Sequence, residues 1–399
     1  MVRRIVITCL LCICLAVVPS CGSGLSTGGQ SAQETAQTIS AQLHYTHSMQ
    51  TDYAEGFAVD YYAEDFALIT LSDGSRFLIA PEPAADGTEA AVPGDLPKDI
   101  VVLRRPVDNI YLAASAVMDM FCAMGALDCI TLSGIEQNAW HIAEAYDAMA
   151  RGDILYAGKY SAPDYELIKA KGCTLTVQST MLEHVPEVKE QLELLGIHVF
   201  EDHSSYEESP LGRMEWIKVY GVLTGHEEAA QAVYETQREA FAKGTATEQL
   251  QKRVAFFHVT TTGAVTIRKP EDYIAKMIGL AGGTYAFADM EVPEGATGTM
   301  NIQMEQFYAS AKDADVLIYN STIAGEIYSV DELLEISPLF AEFKAVREGN
   351  VWCISADFFQ NSMQLGTAQE DLHRLLAADL TQISGTESEE GFTFLYRLE

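Results

Sequence analysis

The 399 residues carry 25 lysines and arginines against 57 aspartates and glutamates, a formal net charge of −32. That excludes the basic surface a nucleic acid needs and a polybasic membrane contact. A hydrophobic content of 48% with 9% aromatics excludes an unstructured chain and leaves room for two ordinary domains or one large one.

The chain opens as an export signal: Arg3 and Arg4, an unbroken apolar run over 5–18 too short to span a membrane, then small residues. Val18-Pro19-Ser20-Cys21 resembles the lipobox of bacterial lipoproteins, whose cysteine becomes the acylated first residue of the mature protein; Pro19 departs from the small residue usual there. The expectation is a signal peptide over 1–20, lipidation at Cys21 and a polar tether over 21–41. The mature protein is then extracytoplasmic and lipid-anchored to the bacterial cell membrane. Residues 24–28 match G-x-S-x-G with neither strand nor helix around them, a chance match. Cys122, Cys129, Cys173 and Cys353 lack metal-ligand spacing and read as buried free thiols.

Residues 42–97 form a small β unit and linker. Alternation predicts strands over 57–62, 66–71 and 76–79, with a Ser72-Asp73-Gly74-Ser75 turn. An N-terminal α/β lobe over 98–212 follows. Its predicted strands are 100–103, 130–132, 154–156, 175–177 and 198–200, and its helices 109–124, 164–170 and 185–195, the last stopped by Gly196. A helical run over 214–243, broken once at Gly221 and Gly225, makes an inter-lobe segment over 213–247. The C-terminal α/β lobe over 248–399 has predicted strands 253–259, 316–319 and 351–354 and helices 270–281, 303–312, 330–335 and 363–380. Strands alternating with helices imply parallel sheets. The fold class is therefore α/β: two Rossmann-like lobes with parallel sheets joined by one long helix, plus a small N-terminal antiparallel β unit.

Several segments carry a resemblance. Asp99-Ile100-Val101-Val102-Leu103 precedes a helix with Ala113-Ala114-Ser115-Ala116. Glu190-Gln191-Leu192-Glu193-Leu194-Leu195-Gly196-Ile197-His198-Val199 joins a helix to a strand. Gly225-His226-Glu227-Glu228-Ala229-Ala230, Ile278-Gly279-Leu280-Ala281-Gly282-Gly283 and Ala345-Val346-Arg347-Glu348-Gly349-Asn350-Val351-Trp352 follow in order. Over about 98–380 the chain resembles the substrate-binding lipoproteins of ABC importers for iron chelates (siderophores), haem and cobalamin, the class III, helical-backbone periplasmic binding proteins. The β unit at 42–81 and the loop over 204–213 depart from that family. The resemblance implies a monomeric receptor, not an enzyme, without a resident cofactor; nine dispersed histidines with no H-x-H pattern separately disfavour a bare metal site. It implies an iron chelate held between lobes that close only modestly, and delivery to an ABC importer permease dimer. It also implies docking on that permease through one carboxylate per lobe, at the positions of Glu166 and Glu305. Corrinoid capture for the same kind of importer is an alternative, and a tetrapyrrole metal chelatase on a related fold is another. A third is a surface lipoprotein whose β unit binds a partner.

In open α/β sheets ligands sit beyond the carboxyl ends of the strands. Those ends nominate Arg104 and Arg105, then Tyr156, Lys159 and Tyr160, then Gln178, Ser179 and Met181, then His203, Ser205 and Tyr206. The second lobe nominates His258, Thr260, Thr261 and Arg268, then Asn320 and Ser321, then Asp357, Phe358 and Phe359. Aromatic faces with a few polar groups suit a large, flat or chelated ligand. The arginines are candidates to clamp anionic groups, and His203, His258 or a tyrosine to ligate haem iron. Trp140 and Trp216 read as packing residues.

Overall fold

The computed structural model describes residues 38–293, 296, 298–379 and 391–399. The predicted signal peptide, Cys21 and most of the predicted tether fall outside them. Among the described residues no helix is long and apolar enough to cross a membrane.

Three sheets organise the chain. In the first, β1 (Tyr45–Ser48), β2 (Phe57–Tyr62), β3 (Ala67–Leu71) and β4 (Arg76–Ala80) form an antiparallel meander. Gly74 at φ 88° makes the tight β3–β4 turn. The fifth strand, β5 (Ile100–Arg104), adds parallel to β4. Residues 100–103, expected to open the first lobe, therefore complete the N-terminal sheet. Ile100 and Val102 pack there with Ile39, Leu43, Phe66 and Leu78. An apolar strand reads the same in either sheet, and its partner is a non-local choice.

The second sheet is the one expected for the first lobe, all parallel, in the order β10-β9-β6-β7-β8. Its strands are β6 (Ile110–Leu112), β7 (Ile130–Ser133), β8 (Leu155–Tyr156), β9 (Leu175–Ser179) and β10 (His198–Asp202). The segment predicted as a helix over 109–124 thus begins as a fully buried central strand and turns helical only at α1 (Ser115–Ala123). Three further helices, α2 (Ala143–Arg151), α3 (Tyr165–Ala170) and α4 (Pro186–Leu194), complete the lobe. Asp164 caps α3 by accepting from Leu167 N, and Pro186 starts α4 where a missing N–H is harmless.

The inter-lobe run is three helices, α5 (Pro210–Glu215), α6 (Ile217–Thr224) and α7 (Glu227–Lys243). Every residue of α6 is buried, and Gly225 at φ 77° ends it. Gly221 lets α7 approach closely, since a Cβ there would sit 2.8 Å from that of Ala230. Only α7, 17 residues long, is a long helix.

The third sheet runs β14-β12-β11-β15-β16-β17, with β13 also on β11. In chain order the C-terminal lobe contains β11 (Arg253–Val259), β12 (Val265–Arg268), α8 (Tyr273–Leu280), β13 (Thr284–Tyr285), β14 (Thr299–Ile302) and α9 (Met304–Ala311). It continues with β15 (Val316–Asn320), α10 (Ser321–Ala324), α11 (Val330–Ile336), α12 (Lys344–Arg347), β16 (Val351–Ile354), α13 (Leu365–Ala377) and β17 (Leu395–Arg397). The predicted strands form its parallel centre, while β12, β14 and β17 join antiparallel at the flanks. One continuous core runs through both lobes, with Phe121, Phe200 and Tyr220 on one side and Phe257, Phe307 and Phe340 on the other.

Candidate binding cleft between the lobes

Register places the ends of the first-lobe strands on one line: Leu112 pairs with Val177 and Ser133, Ser133 with Tyr156, and Ser179 with Asp202. In the second lobe Tyr319 pairs with Phe257 and Cys353, and Asn320 with Ile354. The segments beyond these two edges meet. Gln360, after β16, accepts from His141 N (2.9 Å) and donates to Ala139 O (2.8 Å) in the loop after β7. Ser362 Oγ donates to Ala116 O and Met363 N to Asp119 Oδ2 (2.7 Å). The carboxyl edges of the two sheets therefore face one another, the position at which α/β sheets bind ligands.

After the first-lobe strands Tyr156, Met181 and Tyr206 are 41%, 46% and 46% exposed. Lys159 and Ser205 are also exposed, and Tyr160 is half-buried. After the second-lobe strands come Thr260 and Thr261 on the turn after β11, half-buried Asp357 and Phe359 after β16, and Ile323 after β15. These predicted residues, together with Ile323, are the exposed or half-buried side chains that follow the strand ends of the two lobes. Ile323 is 66% exposed, and its signal in sequence was its place three residues past a buried strand end. Gln360, which sequence reasoning also missed, carries no pattern that marks a lobe-to-lobe contact.

Other predicted residues are engaged elsewhere. Arg104 bonds Pro81 O and Ala90 O, and Arg105 pairs with Glu227 (2.8 Å) and bonds Asp65 O. Both follow β5, so they serve the N-terminal sheet and not the cleft. His203 Nε2 lies 3.9 Å from Asp73 in the β3–β4 turn, and its ring lies beside Trp216, so it too faces the β unit. Gln178 is fully buried, its amide donating to Thr176 Oγ1. His258 is buried, and that burial, then the charge of Arg268, pushes its imidazole below the ordinary value, favouring the neutral ring. Arg268 bonds Asp272 at 3.5 Å with its guanidinium 4.8 Å from the Phe359 ring, so its charge is already compensated. Asn320 caps α10 by accepting from Thr322 N, and Ser321 Oγ donates to Ile354 O. Phe358 is buried edge-on to Phe359 and Phe394. Trp140 and Trp216 are packing residues, as expected.

A groove of about 1470 Å³ lies elsewhere, between the N-terminal sheet and α7. Its two cations, Arg105 and Lys218, are paired with Glu227 and Glu215, and the rest of its charge is acidic. Among the described residues no group of three or more His, Cys, Asp or Glu is placed to hold a metal ion. Cys122, Cys129, Cys173 and Cys353 are free. Burial pushes the thiols of Cys129 and Cys173 up to about 11, which makes them poor nucleophiles. Glu166 and Glu305 are both exposed, each in the first turn of its helix, α3 and α9, where the helix dipole favours an acid.

A family model described as periplasmic binding protein matches residues 112–357. Two lipoproteins of Methanocaldococcus jannaschii, both named as uncharacterised, are related in sequence. One is 26% identical over 228 residues, 55% of this chain and 52% of the relative; the other is 25% identical over 323 residues, 77% of each. The match thus spans about half the length of the first. Among solved structures, the periplasmic haem-binding protein of Vibrio cholerae superposes with a TM-score of 0.53 at 18% identity, over 69% of this chain and 99% of that one. A possible iron-binding periplasmic solute-binding protein of Staphylococcus epidermidis gives 0.53 at 13%, over 69% and 98%. A protein titled as the ABC-type Fe3+-hydroxamate transport system of Saccharomonospora viridis gives 0.52 at 20%, over 69% and 94%. At these identities the likeness is one of fold.

Proposed function

The chain belongs to the periplasmic binding protein family, and from that premise we propose that it is an extracytoplasmic receptor that captures an iron chelate, a siderophore complex or haem, and delivers it to an ABC importer permease. It is a binding protein and not an enzyme. The observation that supports the ligand class is the exposure of Tyr156, Met181 and Tyr206 after the first-lobe strands and of Ile323 after β15, with half-buried Phe359 after β16. Apolar and aromatic surface held open to water is stabilised by a large, flat partner that covers it. With Arg268 compensated by Asp272, Lys159 is the exposed cation among the predicted contacts, so shape and apolar cover dominate over anion clamping.

Delivery is read as docking through Glu166 and Glu305, one exposed carboxylate per lobe, which would pair with cationic side chains on a two-fold permease. Attachment rests on Cys21, acylated after export, and the receptor acts as a monomer. The test is a titration of the purified protein with haem, a ferric catecholate, a ferric hydroxamate and cobalamin, read by visible spectrum and calorimetry. Stoichiometric binding of a ferric chelate or haem without turnover is expected. Preference for cobalamin would transfer the reading to corrinoids, and no binding to any of the four would overturn it.

A further inference from the structure

The N-terminal sheet meets the rest of the molecule in an unusual way. The segment 52–56 between β1 and β2 presents five consecutive backbone N–H groups to two buried carboxylates. Glu215 accepts from Asp52 N (3.0 Å), Tyr53 N (2.9 Å) and Ala54 N (2.9 Å). Glu207 accepts from Glu55 N (3.0 Å) and Gly56 N (2.8 Å), and from Trp216 Nε1 (2.9 Å). Lys218 Nζ donates to Glu215 at 2.7 Å and lies over the Tyr234 ring of α7. Glu207 precedes α5 and Glu215 is its last residue, at the first piece of the inter-lobe connection.

The contact continues along α7. Tyr61 Oη donates to Glu227 (2.9 Å), Arg105 bonds the same carboxylate (2.8 Å), and Arg238 lies 3.7 Å from Asp52. The fit leaves no slack. A Cβ on Gly56 would lie 2.7 Å from the Trp216 ring, and one on Gly212 would lie 2.9 Å from Tyr53 O. The sheet is itself fixed to the first lobe, with Phe77 against Phe200 at 5.0 Å between ring centroids.

We infer that the N-terminal five-stranded sheet is a brace on the hinge, with Glu207 and Glu215 as positioning residues that fix the direction in which α7 leaves the first lobe. Rotating the lobes would strip charge-assisted bonds from buried carboxylates or drag the sheet off the first lobe. The brace accounts for the β unit without giving it a ligand. Its consequence, a cleft of set width, rests on the receptor reading above; the bracing itself does not.

The test is therefore made without ligand. Spin labels at the exposed positions Lys171 and Glu348, one per lobe, in a Cys122→Ser background, report the inter-lobe distance distribution. The otherwise unaltered chain is expected to give one narrow distribution. Glu215→Gln or Glu207→Gln is expected to widen it about twofold and to speed amide exchange over 52–56 by about tenfold or more. Should those variants fail to fold, Tyr61→Phe, which removes only the hydroxyl bonded to Glu227, is expected to widen it to a smaller degree. Asp95→Asn, whose bonds stay within the β unit at Ser40 and Ala41, is expected to leave it unchanged. Unchanged width in Tyr61→Phe and in every glutamate variant that folds would overturn the brace, as would equal widening in Asp95→Asn.

Discussion

Asp119 offers a test of the lobe-to-lobe packing that is separate from any ligand. It sits on α1, 7% exposed, and its Oδ2 accepts the 2.7 Å bond from Met363 N of the second lobe. Burial raises its carboxyl to about 6, the single backbone N–H only partly offsets that, and the charge of Glu144 raises it further. A raised native value means the native state holds the proton more tightly than the unfolded chain, where the carboxyl titrates near 3.8. The stability this contributes is full below the unfolded value and lost as pH climbs through about 6. The whole interval corresponds to roughly 3 kcal/mol, an upper figure for one carboxyl. Asp119→Asn keeps an amide oxygen for Met363 N and removes the titration. Urea melts of both proteins from pH 4 to pH 8 are expected to show the variant gaining stability relative to the parent between pH 4 and 6, then a constant difference. A difference that is flat with pH, or that falls, would refute the burial of this carboxyl at the inter-lobe contact.

Three other outcomes follow from named contacts. Gly212→Ala places a methyl 2.9 Å from a backbone oxygen that has no rotamer to escape by, and is expected to cost about 1–3 kcal/mol in denaturant melts. Tyr156→Ala combined with Tyr206→Ala removes exposed aromatic cover and is expected to weaken chelate binding about 10- to 100-fold with the melting temperature held. Glu166→Arg with Glu305→Arg is expected to abolish uptake in cells while leaving ligand affinity intact; unchanged uptake would remove both from the docking role.

The legible parts of this fold were those with local causes. Arg253–Val259 and Val351–Ile354 are apolar strands bounded by turn residues, and their predicted limits coincide with the structure. Gly196 and Gly225, both in the left-handed region, mark helix ends where sequence placed them. What failed was partnership. Ile100-Val101-Val102-Leu103 looks like any buried strand, and only β4 decides its sheet. The flanking strands Val265–Arg268 and Thr299–Ile302 alternate strictly, but over only four residues each, too short for the pattern to register. The site divides the same way. Tyr156, Met181 and Tyr206 follow strands whose sheet was read correctly, and they are exposed beyond the carboxyl edge of that sheet. Arg104 and Arg105 inherited the misplaced strand, and His203 turns toward a β unit whose packing no local pattern encodes.

The account stands most directly on hydrogen–deuterium exchange of the full mature chain with and without a bound ferric chelate. It predicts slowed exchange on both walls at once, over 156–160, 180–184 and 203–206 in the first lobe and over 260–263, 321–326 and 355–360 in the second. Protection confined to one lobe, or to the acidic groove between the N-terminal sheet and α7, would contradict it.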